Sequence, residues 1–226
     1  VNNTLASGYP SIALNCPGTN GITTAQIAQA NASGYAVTSL PIAGGANRCT
    51  VRGINNSVQA VGDCEYPQAD INLTRTTVWN TPNTAPLTLT LAVNSKNAGL
   101  AINNVGIALV ARQDATGRTS YLTWLPSAGV LGIQLIVPPT GAVWAQAFSV
   151  ADNSTVALNS TDSNQYSTGC IWAPATSNNP ATISCLASIG GGKKNKLNAL
   201  SQSGSYAAGT NVDSAQNLDA VVAPLL

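Results

Sequence analysis

The sequence predicts an all-β protein: an antiparallel sandwich or jelly-roll-like domain with one short surface helix and a flexible C-terminal segment. Two patterns carry this prediction. From Leu87 to Val93, aliphatic residues alternate with small or hydroxylated ones, which is the period of a strand that buries one face. Along the chain, Gly, Pro, Asn and Ser interrupt the apolar runs roughly every ten residues, a spacing typical of sandwiches and jelly rolls.

The densest series of strand-like runs defines the expected domain. Residues 85–151 are predicted to form the main core of a β-sandwich domain that spans residues 1–188, with the apolar run 130–137 as one of its strands. Residues 189–226 begin with a Gly- and Lys-rich joint of the kind found in flexible linkers, and they end in an apolar stretch. The sequence leaves open whether this tail docks on its own domain or whether it, or the N-terminal segment, adds a strand to a neighbouring subunit.

The segment from Ile22 to Gly34 is the best helix candidate. Thr23 or Thr24 is a suitable N-cap, the run Ala-Gln-Ile-Ala-Gln-Ala follows, and Gly34 stands where a helix commonly ends. The apolar face of this segment is weak. The expected helix is therefore short and lies at the surface.

The low charge of the chain narrows the possible partners. Charged residues make up 8% of the 226 residues, against roughly 25% in an ordinary globular protein, and the net charge is +1. Because so few cations are present to neutralise phosphates, nucleic-acid binding is not expected. No stretch reaches the roughly 18 apolar residues of a membrane span. The chain starts at Val1 without Met, as expected of a secreted protein whose leader has been removed.

Five cysteines supply the next constraint. Cys49 and Cys64 have the same separation in sequence as Cys170 and Cys185, and each pair brackets a possible hairpin, so these are the two predicted disulfides. Cys16 is left over, either buried and reduced or paired with another chain. Disulfides indicate an oxidising, extracellular or cell-surface location.

The pattern Asn-x-Ser/Thr marks six candidate glycosylation sites in the polar turns of the chain. Together with the cysteines, these sequons predict a secreted glycoprotein. The six asparagines are Asn2, Asn31, Asn55, Asn72, Asn153 and Asn159.

The composition excludes several common types of catalytic site. Since the chain has no His, Ser-His-Asp and Cys-His nucleophile systems and His-ligated metal sites cannot be built. No cofactor motif is present, so no catalytic residue, cofactor or metal is predicted. Asp63 and Glu65 share one face of a predicted strand at a spacing that a glycosidase tolerates, which keeps a carboxylate glycosidase as a distant third hypothesis.

Aromatic side chains offer a second hypothesis, carbohydrate binding. Sugars stack on exposed aromatic rings while amides and hydroxyls supply hydrogen bonds, and the chain is rich in Asn, Gln, Ser and Thr. The candidate stacking residues are Tyr121, Trp124, Trp144 and Trp172.

These observations favour a non-enzymatic structural or adhesive subunit of a cell surface, a matrix or an extracellular filament. Its expected partners are other copies of itself, which associate by strand addition, with glycans as a further possible partner. The alternative is a lectin-like carbohydrate-binding module.

Overall fold

The computed structural model describes residues 10–18, 22–67, 73–91 and 95–225. Within these ranges the chain forms eighteen β-strands and one short 3₁₀ segment. The pairings between strands whose register is defined are all antiparallel. The predicted all-β, sandwich-like fold is confirmed. The chain divides into two compact units at Ile133/Gln134, which lies inside the range predicted as one core.

Unit 1 contains sheets I and II and the first three strands of sheet III, whose last strand begins at Ile133 and runs past the boundary. The strands of each sheet follow one another in the chain. Sheet I comprises β1 (Ser11–Pro17), β2 (Thr23–Asn31) and β3 (Gly34–Ser39). Sheet II comprises β4 (Arg48–Ile54), β5 (Ala60–Tyr66), β6 (Leu73–Trp79) and β7 (Leu87–Thr88). Sheet III comprises β8 (Lys96–Ile102), β9 (Ala108–Gln113), β10 (Thr119–Trp124) and β11 (Ile133–Ile136), the last after the 3₁₀ segment Pro126–Gly132.

Unit 2 contains two sheets with the same meander order, in which consecutive strands are neighbours. Sheet IV comprises β12 (Ala142–Val150), β13 (Val156–Asp162), β14 (Ser167–Ala173) and β15 (Thr182–Cys185). Sheet V comprises β16 (Lys194–Leu200), β17 (Tyr206–Val212) and β18 (Leu218–Pro224).

The sheets are copies of one repeat. The second strands of sheets II, III and IV begin at residues 60, 108 and 156, a spacing of 48 residues. Opposite each starting residue, the following third strand has a buried tryptophan: Trp79, Trp124 and Trp172. A constant period with equivalent core positions is the signature of a repeat architecture.

A β-bulge marks the same position in the first strand of four sheets. The register between first and second strands shifts after Val51, Gly99, Ala147 and Leu197, the first three of which are 48 residues apart. One extra residue on the first strand strengthens the local twist. Each first strand is therefore bent at an equivalent point.

Most hairpins share one five-residue turn. Its first residue is often Asn or Asp, and the side-chain oxygen accepts the backbone N–H of the fifth residue, as in Asn55, Asn103 and Asp162. The Thr116 hydroxyl beside Asp114 and the Asn217 side chain beside Asp213 lower the pKa of those carboxyl groups. These turns keep charge at the surface while they satisfy backbone donors.

In unit 1, buried side chains fill the spaces on both faces of sheet II. Ala25 and Ile27 of sheet I pack with Val51 and Trp79 of sheet II, and the Nε1–H of Trp79 donates to the Pro41 carbonyl over 2.8 Å. The opposite face of sheet II packs against sheet III. Its cluster contains Val61, Val78, Ile102, Val110, Leu122 and Trp124.

Within the units, the first strands β4, β8 and β16 each cross the preceding sheet, and asparagine amides hold these three crossings. Asn15 of sheet I exchanges two hydrogen bonds with the backbone of Val51, at 2.7 and 2.8 Å. Asn159 of sheet IV exchanges two with the backbone of Leu197, at 2.9 and 2.8 Å. An amide offers one donor and one acceptor without charge, so it can bridge two backbones inside a low-charge protein.

At a second position the asparagine lies on the crossing strand and bonds the backbone of the sheet beneath it. Asn97 of β8 accepts the Thr76 N–H of sheet II, and Asn195 of β16 accepts the Gly169 N–H of sheet IV, both at 2.6 Å. Both asparagines are buried. Buried polar groups of this kind stabilise only when they are paired.

Both disulfides selected by the equal spacing are present. Cys49 lies directly opposite Cys64 on paired strands, and Cys170 lies opposite Cys185; each pair has a Cα–Cα distance of 4.0 Å. The 49–64 bridge ties the first and second strands of sheet II. The 170–185 bridge ties the third and fourth strands of sheet IV.

The predicted helix at 22–34 is wrong: this segment is β2 and the start of β3. Ala25 and Ile27 are buried while Gln26 is only half-buried, so the pattern has the period of a strand. The residues between Asn31 and Gly34 form a hairpin turn instead of a helix end. Pairing with β1 on one side and β3 on the other overrides the helix propensity of the alanines and glutamines.

Three further segments differ from the sequence prediction. The strand expected from Leu87 is paired only at Leu87 and Thr88, and residues 92–94 lie outside the described ranges. The run 130–137 is divided between the 3₁₀ segment and β11. Instead of a flexible joint and tail, the C-terminal residues form sheet V, because Asn195 and Leu197 alternate with exposed lysines and pack on sheet IV.

We expect Asn195→Ala to lower the free energy of unfolding by about 1–3 kcal/mol, because the substitution leaves the buried Gly169 N–H without its acceptor. Urea unfolding measures the change. Asn198→Ala is the matched control, since Asn198 is exposed on the same strand. Equal stability of the two variants would show that the buried amide does not stabilise the crossing.

Candidate functional site

The carboxylates considered for hydrolysis lie side by side on β5, but each is occupied by an arginine of β4. Asp63 accepts from Arg52 Nε at 2.7 Å, and Glu65 pairs with Arg48 at 2.6 Å. Asp63 is also buried. In this arrangement the carboxylates join two strands of sheet II.

Metal-ligand groups and membrane-spanning helices are both absent from the described residues. Among the described residues, no group of three or more His, Cys, Asp and Glu side chains is placed to hold a metal ion. Within the same ranges, no helix has the length and apolar character needed to cross a bilayer.

The four candidate stacking aromatics differ in how far they are buried. Trp124 and Trp172 belong to the cores, and Trp124 Nε1–H donates to the Gly129 carbonyl at 3.1 Å, so neither offers a ring face to a ligand. Tyr121 is half-buried, and burial raises the pKa of its phenol. Trp144 on β12 is 52% exposed. Trp144 is thus the candidate that the structure presents at the surface.

Trp144 lines an open cleft of about 580 Å³ within unit 2. Gln146 and Thr161 continue the wall beside it, and Lys194 and Lys196 of sheet V form the other side. Asn159 lies at the same cleft, but both atoms of its amide bond the Leu197 backbone. An indole face surrounded by uncharged hydrogen-bonding groups and two cations is chemistry that suits a polar, hydroxyl-rich ligand.

A second surface is the outer face of sheet V, opposite the face on which Leu197 and Ala207 pack against sheet IV. It meets the Trp144 cleft, because Lys194, Lys196, Thr210, Val212 and Leu218 also line that cleft. Val222 on β18 is 70% exposed, and Ala208 lies directly opposite it on β17. We call this surface the terminal face. Its members are Lys194, Lys196, Ala199, Ala208, Thr210, Val212, Leu218, Ala220 and Val222.

The repeat shows how unusual this exposure is. In sheets I, II and III, the residue at the position of Val222 is Ile27, Val78 or Thr123, with exposures of 0%, 0% and 5%. In sheet IV it is the half-buried Ile171. The position that three other sheets bury, and that sheet IV half-buries, is therefore open to solvent in sheet V.

The asparagines of the candidate sequons differ in their exposure and in their hydrogen bonds. Asn31 and Asn153 are exposed on hairpin turns. Asn55 is 4% exposed, and its side chain bonds Gln59 and the Asn103 carbonyl. Asn159 is held by Leu197 as described above, while Asn2 and Asn72 lie outside the described ranges.

Cys16, the cysteine left over by the predicted pairing, is a half-buried free thiol on β1. It lies 48 residues before Cys64, so it occupies the same repeat position as a bonded cysteine of sheet II. The structure gives it no disulfide partner within the described part of the chain.

The terminal face was not among the sites predicted from the sequence. Its one usable signal is the 48-residue period, which aligns Val222 with buried residues of other repeats. No protein-family model matches this chain, and no curated protein is significantly similar to it in sequence.

If the natural host glycosylates this protein, we expect glycans on Asn31 and Asn153 and little or none on Asn55 and Asn159. The latter two side chains are engaged in hydrogen bonds that hold the fold. Peptide mass spectrometry of protein isolated from the natural host measures the occupancy of each site. High occupancy at Asn159 would contradict the role of its amide as a bridge to Leu197.

Proposed function

We propose that this protein is a secreted, non-enzymatic glycoprotein that serves as a structural or adhesive subunit of a cell surface, a matrix or an extracellular filament. Its copies associate when a strand of one copy covers the terminal face of another. The observation that carries this proposal is the exposure of Val222 at a position that is buried in sheets I, II and III and half-buried in sheet IV.

Several properties support a subunit that assembles outside the cell. Two disulfides tie neighbouring strands, as is common in oxidising compartments. The low charge leaves little long-range repulsion between copies. An exposed sheet face with aliphatic side chains is a surface on which an extended segment of another copy can pack.

We expect Val222→Asp to abolish self-association, because assembly would bury an unpaired carboxylate against aliphatic side chains. Sedimentation velocity over a concentration series, with electron microscopy of the same samples, measures the effect. Since Val222 is exposed in the single chain, the variant is expected to fold as the unmodified protein does.

The matched control is Val143→Asp, which places the same charge at a valine of sheet IV that is 62% exposed and outside the terminal face. We expect this variant to associate normally. Unchanged assembly of Val222→Asp would exclude the terminal face as the contact, and a strictly monomeric unmodified protein would overturn the proposed function.

The second candidate function is carbohydrate binding at the Trp144 cleft. It is favoured by one specific observation, the exposed indole beside Gln146 and Thr161. The ligand would be a neutral or anionic glycan, because Lys194 and Lys196 are the cations that line the cleft. Such an activity is compatible with an adhesive subunit.

We expect Trp144→Ala to weaken glycan binding about tenfold, since it removes the stacking face. A glycan array identifies a ligand for the unmodified protein, and calorimetry then compares the variants. Tyr206→Ala is the control, because Tyr206 is a similarly exposed aromatic outside the cleft. A glycan that binds both variants equally would place recognition elsewhere.

A further inference from the structure

The last strand of sheet V, β18, forms a long open edge. In sheets II, III and IV the third strand pairs with the second strand on one side and with a fourth strand on the other. β18 is the third strand of sheet V, and no described strand pairs with its other side. The fourth strands β7, β11 and β15 are 2, 4 and 4 residues long, whereas β18 presents 7 residues without a register shift. A long, regular edge is a template for pairing with another chain.

Hydrogen bonds at the two ends of β18 show which of its backbone groups point outward. The Asn217 carbonyl accepts an N–H from the β17 side at 3.1 Å, and the Leu225 N–H donates to a carbonyl on that side at 2.8 Å. Backbone groups alternate in direction along an antiparallel strand, so the odd-numbered residues between these two bond β17. The N–H and C=O groups on the open side therefore belong to Leu218, Ala220 and Val222.

We propose that β18 of one copy pairs with β18 of a second copy, antiparallel and about a twofold axis at Ala220, so that the two sheets V become one continuous sheet. In this register Leu218 lies opposite Val222 of the second copy, and Ala220 lies opposite its own equivalent. Each pair exchanges two backbone hydrogen bonds. The contact goes beyond the proposed function, because it uses the edge of sheet V and not the terminal face.

The sequence of β18 selects this register. A pairing centred on Asp219 would place two carboxylates directly opposite each other, and like charges in that position destabilise a strand pair. A pairing centred on Val221 or Val222 would bring Pro224 into the ladder, where it has no N–H to donate. Centring the pairing on Ala220 avoids both penalties and keeps most of the strand paired.

The same register covers exposed aliphatic side chains. Leu218 and Val222 are each 70% exposed, and both lie on the terminal face. Opposed residues of an antiparallel pair have Cβ atoms about 5 Å apart, so each Leu218 contacts Val222 of the second copy. Residues 220–223 contain none of the lysines, prolines or bulges that block pairing at other edges. The edge is therefore complementary to itself.

Site-directed cross-linking tests the register. The full chain is prepared with Ala220→Cys in a Cys16→Ser background and is mildly oxidised. We expect a disulfide-linked dimer on a non-reducing gel, because the Cα atoms of a hydrogen-bonded pair lie about 5.5 Å apart, within disulfide range. Ala199→Cys in the same background is the control, since Ala199 is also exposed on the terminal face but lies on β16, away from the edge.

Two results of this experiment would overturn the inference. One is the absence of a dimer with Ala220→Cys. The other is a dimer that forms as readily with Ala199→Cys, because that cross-link would show a contact between faces.

A proline substitution tests the backbone hydrogen bonds. Ala220→Pro removes an N–H that points away from β17, and proline is tolerated at such edge positions, so the variant is expected to fold. We expect its dimer dissociation constant to rise on the order of thirtyfold, through loss of two symmetry-related hydrogen bonds. Sedimentation equilibrium measures the change, and circular dichroism checks the fold.

Ala220→Val is the matched control for the proline variant. It adds a side chain of similar size at the same point of the terminal face but keeps the N–H. We expect it to dimerise as the unmodified protein does. Equal weakening by the two variants would assign the effect to side-chain size and would overturn edge pairing.

The outcomes separate this contact from the proposed function. Val222→Asp disrupts both, because its carboxylate would also lie against Leu218 of the second copy, whereas Ala220→Pro compared with Ala220→Val reports on the edge alone. If the unmodified protein assembles and Ala220→Pro assembles equally well, the proposed function stands and the edge contact is overturned. If the protein forms the dimer linked at Ala220→Cys and nothing larger, the edge contact stands and the assembling subunit is overturned. If it neither associates nor cross-links, both are overturned.

Discussion

The structure depends on one recurring constraint, the passage of a first strand over the sheet that precedes it. Each crossing brings two backbones close together, so the residues between them must be small or must bond both chains. Gly99 meets the first requirement against Val61, and Asn15 and Asn159 meet the second. Because every sheet is a short meander, these crossings are what join the sheets of each unit into a core.

A protein whose sheets are joined by amide hydrogen bonds needs few charged residues. Amides replace ion pairs at the crossings, and hydroxyl and amide side chains cover much of the surface. The two ion pairs, Arg48–Glu65 and Arg52–Asp63, both join β4 to β5. Such a molecule changes little in net charge with pH over a wide range, since it has no His. That property suits a component exposed to an uncontrolled environment.

The two candidate surfaces are chemically different, but they meet on sheet V, where Lys194, Lys196, Thr210, Val212 and Leu218 belong to both. The Trp144 cleft offers one aromatic face among polar groups, whereas the terminal face offers aliphatic side chains on an ordered sheet. The first suits a small polar ligand and the second suits an extended polypeptide. A structural subunit can use both, one to join its copies and the other to bind a glycan.

The sequence alone determined the fold class, the antiparallel hairpins and both disulfides, because these depend on local alternation and on the spacing of Cys49–Cys64 and Cys170–Cys185. It did not distinguish strand from helix at residues 22–34, where alanines and glutamines suit either and the pairing of β2 with two neighbours decided. The exposure of individual side chains also depended on tertiary structure. Trp144 and Trp172 both lie in strand-like runs of the sequence, but packing buries Trp172 and leaves Trp144 exposed. Sheet V has the same strand order as the other sheets, but in the described chain no strand covers its outer face. Only the tertiary structure shows that sheet V is the uncovered one.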